Sequence, residues 1–185
     1  MTITPETRDY RTFEVRALDT GEEDKQYRVE GYAAVFDEET VLYEYDGIEY
    51  KEVIDRSAFT GAEMRDVVMN YNHGGKPVAR TKNGTLQLTV DTRGLRISAD
   101  LSGTEEGRRL FEEIRGGYLD QMSFAFTVNK QEYDRAKHLR RITGFKRVFD
   151  VAAVDIPAYD GTSIAARSWA KAEAEREHAE ADKRR

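Results

Sequence analysis

The stretch YLDQMSFAFTV, residues 118–128, alternates bulky apolar side chains with small ones. Side chains two residues apart on a β-strand share one face of the sheet. The bulky side chains therefore form one face: Met122, Phe124, Phe126 and Val128. The small side chains form the other face: Ser123, Ala125 and Thr127. The pattern predicts a well-buried strand. The face with only small side chains, called the bare face below, carries a hydroxyl, which indicates either that another part of the protein packs closely against it or that another molecule must reach it.

Most of the remaining chain shows short β-rich runs separated by turn residues. Asp46-Gly47 and Asn83-Gly84 are dipeptides typical of two-residue turns, so hairpins are predicted within residues 41–54 and 78–90. About nine strands result. The sequence therefore predicts a mainly β fold with helices (α+β), in which antiparallel strands form a closed or nearly closed β-barrel.

Two segments interrupt the strands with helical patterns. In SGTEEGRRLFEEIRGG, residues 102–117, Ser102 and Glu105 form a capping box and a glycine pair ends the helix. Its predicted buried face is Leu110, Phe111 and Ile114. A shorter helix is predicted over residues 55–64.

The composition divides the chain into three parts. Residues 1–10 are predicted to be a flexible N-terminus, and residues 11–167 the β-barrel domain. Residues 168–185 are rich in Ala, Glu, Lys and Arg, with almost no apolar stripe after Trp169. This tail is expected to be a solvated helix or a disordered segment.

Charge and composition argue against several classes of function. A net charge of −6 disfavours nucleic acid as the main partner, because phosphate binding needs a basic face. The chain has no cysteine, and its histidines (His73, His138 and His178) are far apart in the sequence, so no metal or other cofactor is expected. No signal peptide or apolar run of roughly 18 residues is present, which predicts a protein kept inside a cell and off the membrane.

Three polar residues occur where a purely structural strand rarely has them. Ser123 lies on the bare face, His73 ends the predicted strand 67–73, and Asp150 is flanked by apolar residues in RVFDVAAV. A carboxylate in such a strand needs a donor to offset its loss of hydration. Serine, histidine and aspartate are also the parts of a nucleophilic triad, in which the imidazole activates the hydroxyl and the acid orients the imidazole.

Each of these residues also has a structural interpretation. Serine is common in strands, and a histidine before Gly74 is often a hydrogen bonder that stabilises a turn. Asp150 could pair with Arg147 or Lys146. From the residues alone, a small-molecule-binding β-barrel therefore remains an alternative to a hydrolase.

Five segments occur in an order that resembles the phage prohead protease family, the capsid-maturation serine peptidases related in fold to the herpesvirus assemblins. The segments are VEGYAAVFDEET, EVIDRSAF, VMNYNHGGKPVARTKNGTLQL, RGLRISADLSGTEEGRRLFEEIRGGYLDQMSFAF and FDVAAVDIPAYDGTSIAAR. The resemblance covers roughly residues 29–167. It implies an assemblin-type barrel flanked by helices.

The resemblance also implies roles for particular residues. Asn72-His73-Gly74 matches the family's histidine turn, and MSFAF matches its nucleophile strand, with Ser123 as the nucleophile. Asp150 occupies the place of the family's acid, although Ala152 replaces the usual serine two residues later. Asp155 is the alternative acid.

The resemblance implies a serine endopeptidase with the catalytic residues Ser123, His73 and Asp150. Its substrates would be a scaffolding protein or the capsid protein precursor, and the protease itself, inside the prohead in the host cytoplasm. Self-association as a dimer or larger assembly is reasonable by the same resemblance. Oxyanion donors are expected in the loop after Pro157. The alternative is a catalytically inactive barrel that acts as an internal scaffold or assembly factor.

Overall fold

The computed structural model describes residues 9–18, 27–155 and 164–183, and for residues 9–14 and 164–169 it describes the backbone alone. Ten strands and two helices are found within these ranges: β1 Asp9–Ala17, β2 Arg28–Val35, β3 Thr40–Tyr45, β4 Ile48–Ile54, β5 Val68–Tyr71, β6 Gly74–Arg80, β7 Leu86–Val90, β8 Gly94–Asp100, α1 Glu105–Arg115, β9 Gln121–Asp134, β10 Leu139–Val154 and α2 Ile164–Asp182. The flexible N-terminus predicted for residues 1–10 falls mostly on residues 1–8, outside these ranges.

Eight strands form one hydrogen-bonded path in the order β3-β4-β10-β9-β1-β2-β8-β7, and β5 and β6 join it through β10. Strand β1 links the two halves of the path, because residues 9–14 pair with β9 and residues 15–17 pair with β2. The path begins at β3 and ends at β7, two strands that do not pair with each other. The mainly β, α+β class is confirmed, whereas closure into a barrel is not.

Strand β10 is the element that departs most from an antiparallel arrangement. It runs antiparallel to β9, but residues 139–142 pair in parallel with β4 and residues 150–153 pair in parallel with β5. A strand of 16 residues is longer than either neighbour, so its one edge accommodates both in succession. The predicted antiparallel order is therefore wrong at these two pairings.

The two predicted hairpin turns have different outcomes. Asp46 and Gly47 both have positive φ, 52° and 75°, and connect β3 to β4 as predicted. Asn83-Gly84 does not form a hairpin, because Thr81–Asn83 is a 3₁₀ turn that leads from β6 to β7, and β7 pairs with β8. Here the Thr81 hydroxyl accepts a hydrogen bond from the amide of Val67, the residue directly before β5.

Helix α1 packs as the sequence predicts, although its cap differs. Its buried residues include the predicted face: Leu110, Phe111 and Ile114. The N-cap is Thr104, whose hydroxyl accepts from the Gly107 amide at 2.9 Å, so the capping box at Ser102 is wrong. Residues 55–64 form turns rather than a helix, and the Asp55 carboxylate accepts from the Ser57 amide at 2.9 Å.

The main hydrophobic core contains the bulky face predicted for β9. Met122, Phe124 and Phe126 are fully buried, and Phe124, Phe126 and Phe145 form an aromatic cluster with ring centroids 4.6 to 5.8 Å apart. The opposite face, with Ser123 and Ala125, is also buried but lies outside this core cluster. Strand β9 therefore has the main hydrophobic core on one face and a separate buried region, with Ser123, on the other.

Helix α2 lies against β3 and β4 through a second, smaller cluster. Ala170 and Ala174 are fully buried against Leu42 and Tyr50. The Glu177 carboxylate accepts hydrogen bonds from the hydroxyls of Tyr50 at 3.2 Å and Tyr133 at 3.1 Å, and His138 Nδ1 lies 2.9 Å from it. Neither helix in the described ranges is long and apolar enough to cross a membrane.

Candidate active site

His73 and Asp150, 77 residues apart in the chain, meet in the structure. His73 Nδ1 lies 2.5 Å from Asp150 Oδ1. The Asp150 side chain is 8% exposed and the His73 side chain 19% exposed. A carboxylate buried to this degree needs a compensating donor, and the imidazole N–H is that donor. The partner of Asp150 is therefore the histidine, whereas Arg147 stacks on Phe149.

Ser123 lies beside this pair on the neighbouring strand. In the β9–β10 ladder Asp150 is opposite Ala125 and Ala152 is opposite Ser123, so Ser123 and Asp150 are diagonal neighbours on one face. Diagonal positions on adjacent strands are about 7–8 Å apart, within reach of a side chain that bridges them. The register thus gathers all three predicted residues in one region of the sheet.

A β-bulge directs Asp150 to the face that carries Ser123. The register shifts between Val148 and Asp150, leaving Phe149 as the extra residue. Val148 pairs with core residue Phe126, whereas Asp150 pairs with Ala125 on the opposite face. Sequence alternation alone puts Val148 and Asp150 on one face, which is wrong because a bulge shifts the period of a strand.

Asn70 is a buried polar residue beside the candidate site that the sequence analysis did not single out. It pairs with Ala152, which also pairs with Ser123, so these three residues form one row across β5, β10 and β9. Asn70 is buried, and its Oδ1 has no hydrogen-bond partner within the described part of the chain. Asparagine is depleted in strands, so its presence in VVMNY was the available signal.

His73 is held in an unusual backbone conformation. Asn72 and His73 have φ of 48° and 56° and connect β5 to β6 by a two-residue turn that pairs Tyr71 with Gly74. Turns of this kind favour Asn-Gly because both residues have positive φ. Histidine at the second position carries backbone strain, and strain of this kind clusters at functional sites.

Asp155, the alternative acid, contacts the turn that carries His73. Its carboxylate accepts from the Tyr71 hydroxyl at 2.7 Å and from Asn72 Nδ2 at 3.0 Å. The hydrogen bond to Asp155 raises the pKa of the Tyr71 phenol. The acid that reaches His73 Nδ1 is Asp150.

A cavity of about 920 Å³ lies next to the same turn, between the β5–β6 hairpin and α1. Its buried lining is apolar: Val78, Leu110 and Leu119. Two partly or largely exposed rings also line it, Tyr71 and Tyr118. The cavity is large enough for side chains of a bound peptide, and the two chain neighbours of His73, Asn72 and Gly74, line it.

Within the described ranges, no group of three or more His, Cys, Asp or Glu side chains could hold a metal ion. The loop after Pro157, where oxyanion donors are expected, lies outside those ranges.

Comparison with known proteins identifies one family. The model of a family described as Caudovirus prohead serine protease matches residues 11–177. No curated protein and no solved structure matches the chain significantly.

Proposed function

Because the chain belongs to the Caudovirus prohead serine protease family, a family of serine peptidases, we propose that Ser123, His73 and Asp150 are its catalytic residues. The observation that carries this assignment is the 2.5 Å contact between His73 and Asp150. Ser123 is the serine on the same face of the sheet, two residue pairs along the β9–β10 ladder from Asp150.

In the proposed mechanism, Ser123 Oγ attacks the carbonyl carbon of the scissile peptide bond while His73 Nε2 takes the hydroxyl proton. A carbon–oxygen bond forms, and the carbonyl π electrons move to the oxygen. Collapse of this intermediate breaks the carbon–nitrogen bond, and His73 returns the proton to the leaving amine. Water then repeats the sequence on the acyl-enzyme. Asp150 accepts the Nδ1–H bond, which fixes the tautomer and stabilises the imidazolium.

The bare face of β9 supports the approach of a peptide backbone. Ala125 and Ala152 are the nearest neighbours of Ser123 and Asp150 in the ladder, and neither has a side chain large enough to block the hydroxyl. The cavity beside the His73 turn supports binding of substrate side chains next to the scissile bond, with apolar side chains favoured by its Val78, Leu110 and Leu119 lining.

The family description supports a role in capsid maturation. The proposed substrates are the scaffolding protein or the capsid protein precursor, and the protease itself, enclosed in the prohead within the host cytoplasm. A homodimer or larger assembly is proposed by resemblance to the herpesvirus enzymes. Neither nucleic acid nor membrane is required as a partner.

Ser123 is 4% exposed, and this burial favours one alternative function, that of a catalytically inactive scaffold or assembly factor. A serine closed off from solvent in the free protein is also expected of an inactive assembly factor. The two functions differ in whether Ser123 can react.

Labelling with a fluorophosphonate separates them. The enzyme should be labelled at Ser123, and labelling should disappear in His73→Ala as well as in Ser123→Ala. Ser98→Ala, which changes a half-buried serine on strand β8, is the control and should label like the wild type. A wild-type protein that does not react, or a His73→Ala variant that reacts at the wild-type rate, would contradict the assignment.

A further inference from the structure

The turn that carries His73 has little support from its own backbone. Strand β5 has four residues, and the turn places both Asn72 and His73 at positive φ. Positive φ costs free energy in every residue except glycine, although asparagine and histidine tolerate it better than most. A histidine that must face Asp150 within hydrogen-bonding distance therefore needs other contacts to keep this turn in place.

Asp155 supplies those contacts from the end of β10. Its carboxylate accepts hydrogen bonds from the Tyr71 hydroxyl at 2.7 Å and from Asn72 Nδ2 at 3.0 Å. Its own amide lies 3.3 Å from Asn72 Oδ1, to which it donates. The Asn72 amide donates to the Ala153 carbonyl at 3.0 Å. The residue directly before His73 is thus bound on its side chain and on its backbone.

We propose that Asp155 is a positioning residue that holds the Asn72-His73 turn against β10, and that it acts on the reaction through the orientation of the His73 ring. This inference rests on the proposed role of His73 as the general base. The two aspartates then have different roles: Asp150 contacts the imidazole, and Asp155 fixes the backbone from which the imidazole projects.

The geometry explains why this clamp matters for His73 in particular. Asp150 lies near the end of β10 and Asp155 directly follows its last residue, Val154, so the acid that orients His73 and the residue that holds its turn are both fixed by the end of one strand. If the turn shifts, the ring moves relative to both Asp150 and Ser123. A displacement of about 1 Å in a reacting group can cost about 10²-fold in rate.

The protein contains a second clamp of the same chemistry, which serves as a matched control. Asp91 accepts from the Tyr32 hydroxyl at 2.8 Å and from the turn amides of Arg93 at 2.8 Å and Gly94 at 3.0 Å. This turn connects β7 to β8, which do not pair with β5 or β10. Removing Asp91 disturbs a comparable turn away from His73.

The test measures how fast a fluorophosphonate inactivates the full-length protein at a range of probe concentrations. Asp155→Ala and Asn72→Gly should each lower the maximal inactivation rate about tenfold or more, with the half-saturating probe concentration unchanged. Asp155→Asn keeps one acceptor oxygen and should retain an intermediate rate. Asp91→Ala should keep the wild-type rate.

Asn72→Gly guards against a purely structural explanation. Glycine is favoured at positive φ, so relief of strain offsets part of the lost hydrogen bonds, and this variant should fold while it loses the side-chain bonds to Asp155. The Nδ1–H proton resonance of His73 should weaken or disappear in Asn72→Gly and persist in Asp91→Ala.

The results distinguish this inference from the proposed function. If the wild type labels at Ser123 but Asn72→Gly and Asp155→Ala label at its rate, the positioning role is wrong and the triad stands. If the wild type does not label, both are overturned. An Asp155→Ala protein that fails to fold leaves Asn72→Gly to decide.

Discussion

Val148 and Asp150 face opposite sides of the sheet, although one residue separates them. Val148 pairs with Phe126 in the core, and Asp150 pairs with Ala125 on the face that carries Ser123. The bulge at Phe149 produces this reversal. It places a carboxylate beside His73 without putting it among the phenylalanines.

Deleting Phe149 should leave Asp150 on the face that carries Ser123. Without the extra residue, Val148 and Asp150 become neighbours in a regular ladder and still pair with Phe126 and Ala125, and neighbouring residues of a strand face opposite sides. Fluorophosphonate labelling should therefore persist in the deletion variant, and chemical denaturation should show that it folds. Phe149→Ala keeps the extra residue and is the control, so loss of labelling in the deletion but not in Phe149→Ala would show that the local bend of the bulge also positions Asp150.

Asp150→Asn should slow the reaction while the fold survives. An amide cannot stabilise the imidazolium as a carboxylate does, and in another triad the equivalent change lowers kcat about 10⁴-fold. The labelling rate of Ser123 and the cleavage of capsid precursor are the measurements. Asp66→Asn, which affects an ion pair between Asp66 and Arg80 outside the site, should leave both unchanged.

The two faces of β9 should respond differently to truncation. Phe124→Ala opens a cavity in the aromatic cluster and should cost about 3–5 kcal/mol of unfolding free energy. Ser123→Ala removes one hydroxyl and should cost about 1 kcal/mol or less, while abolishing activity. Urea denaturation of both variants checks the contrast, and an unstable Ser123→Ala protein would indicate a structural role for the hydroxyl.

Tyr118→Ala should weaken substrate binding without affecting the nucleophile. The ring is 82% exposed and lines the cavity beside the His73 turn, so its removal should leave the fold intact. We expect slower cleavage of the capsid precursor through a higher KM, with unchanged fluorophosphonate labelling. Val90→Ala, another exposed apolar side chain, is the control. If Tyr118→Ala and the wild type cleave the precursor equally well, the cavity does not contribute to substrate binding.

The contact between α2 and the sheet should weaken at high pH. Burial, and then the Glu177 carboxylate, raise the pKa of Tyr50 from 10.0 to about 12. A group whose pKa is raised on folding stabilises the protein fully below its unfolded pKa and loses that effect as pH rises through the folded value. The free energy of unfolding should therefore fall between pH 10 and about pH 12. Denaturation of Tyr50→Phe across this range should show a smaller decline than the wild type.

Local pattern was sufficient to predict several elements. The core face of β9, the buried face of α1 and the turn at Asp46-Gly47 are all found where the sequence puts them. Each depends on contacts within a few residues or on the fixed periodicity of an element. The histidine, serine and aspartate were proposed as site residues because the segments that contain them resemble those of a known family, since each residue taken alone also has a structural interpretation.

Other features depended on distant parts of the chain. The alanines Ala170 and Ala174 give no apolar stripe in the sequence, yet they are buried because Tyr50 and Leu42 offer a surface that small side chains fit closely. Asn83-Gly84 has the residues of a hairpin turn, but β6 before it pairs with β5 and β7 after it pairs with β8, so the two flanking strands do not pair with each other. In both places a partner far along the chain overrides the local preference.

By itself the sequence determined the strands, their core faces and the residue types available for chemistry, because side-chain alternation follows from backbone geometry within a single segment. Tertiary structure alone decided that β5 pairs in parallel with the end of β10, that a bulge turns Asp150 toward His73, and that Asp155 clamps the neighbouring turn. Register and parallel pairing are set by contacts between segments some 80 residues apart, such as His73 and Asp150, separated by 77. No local pattern encodes those contacts.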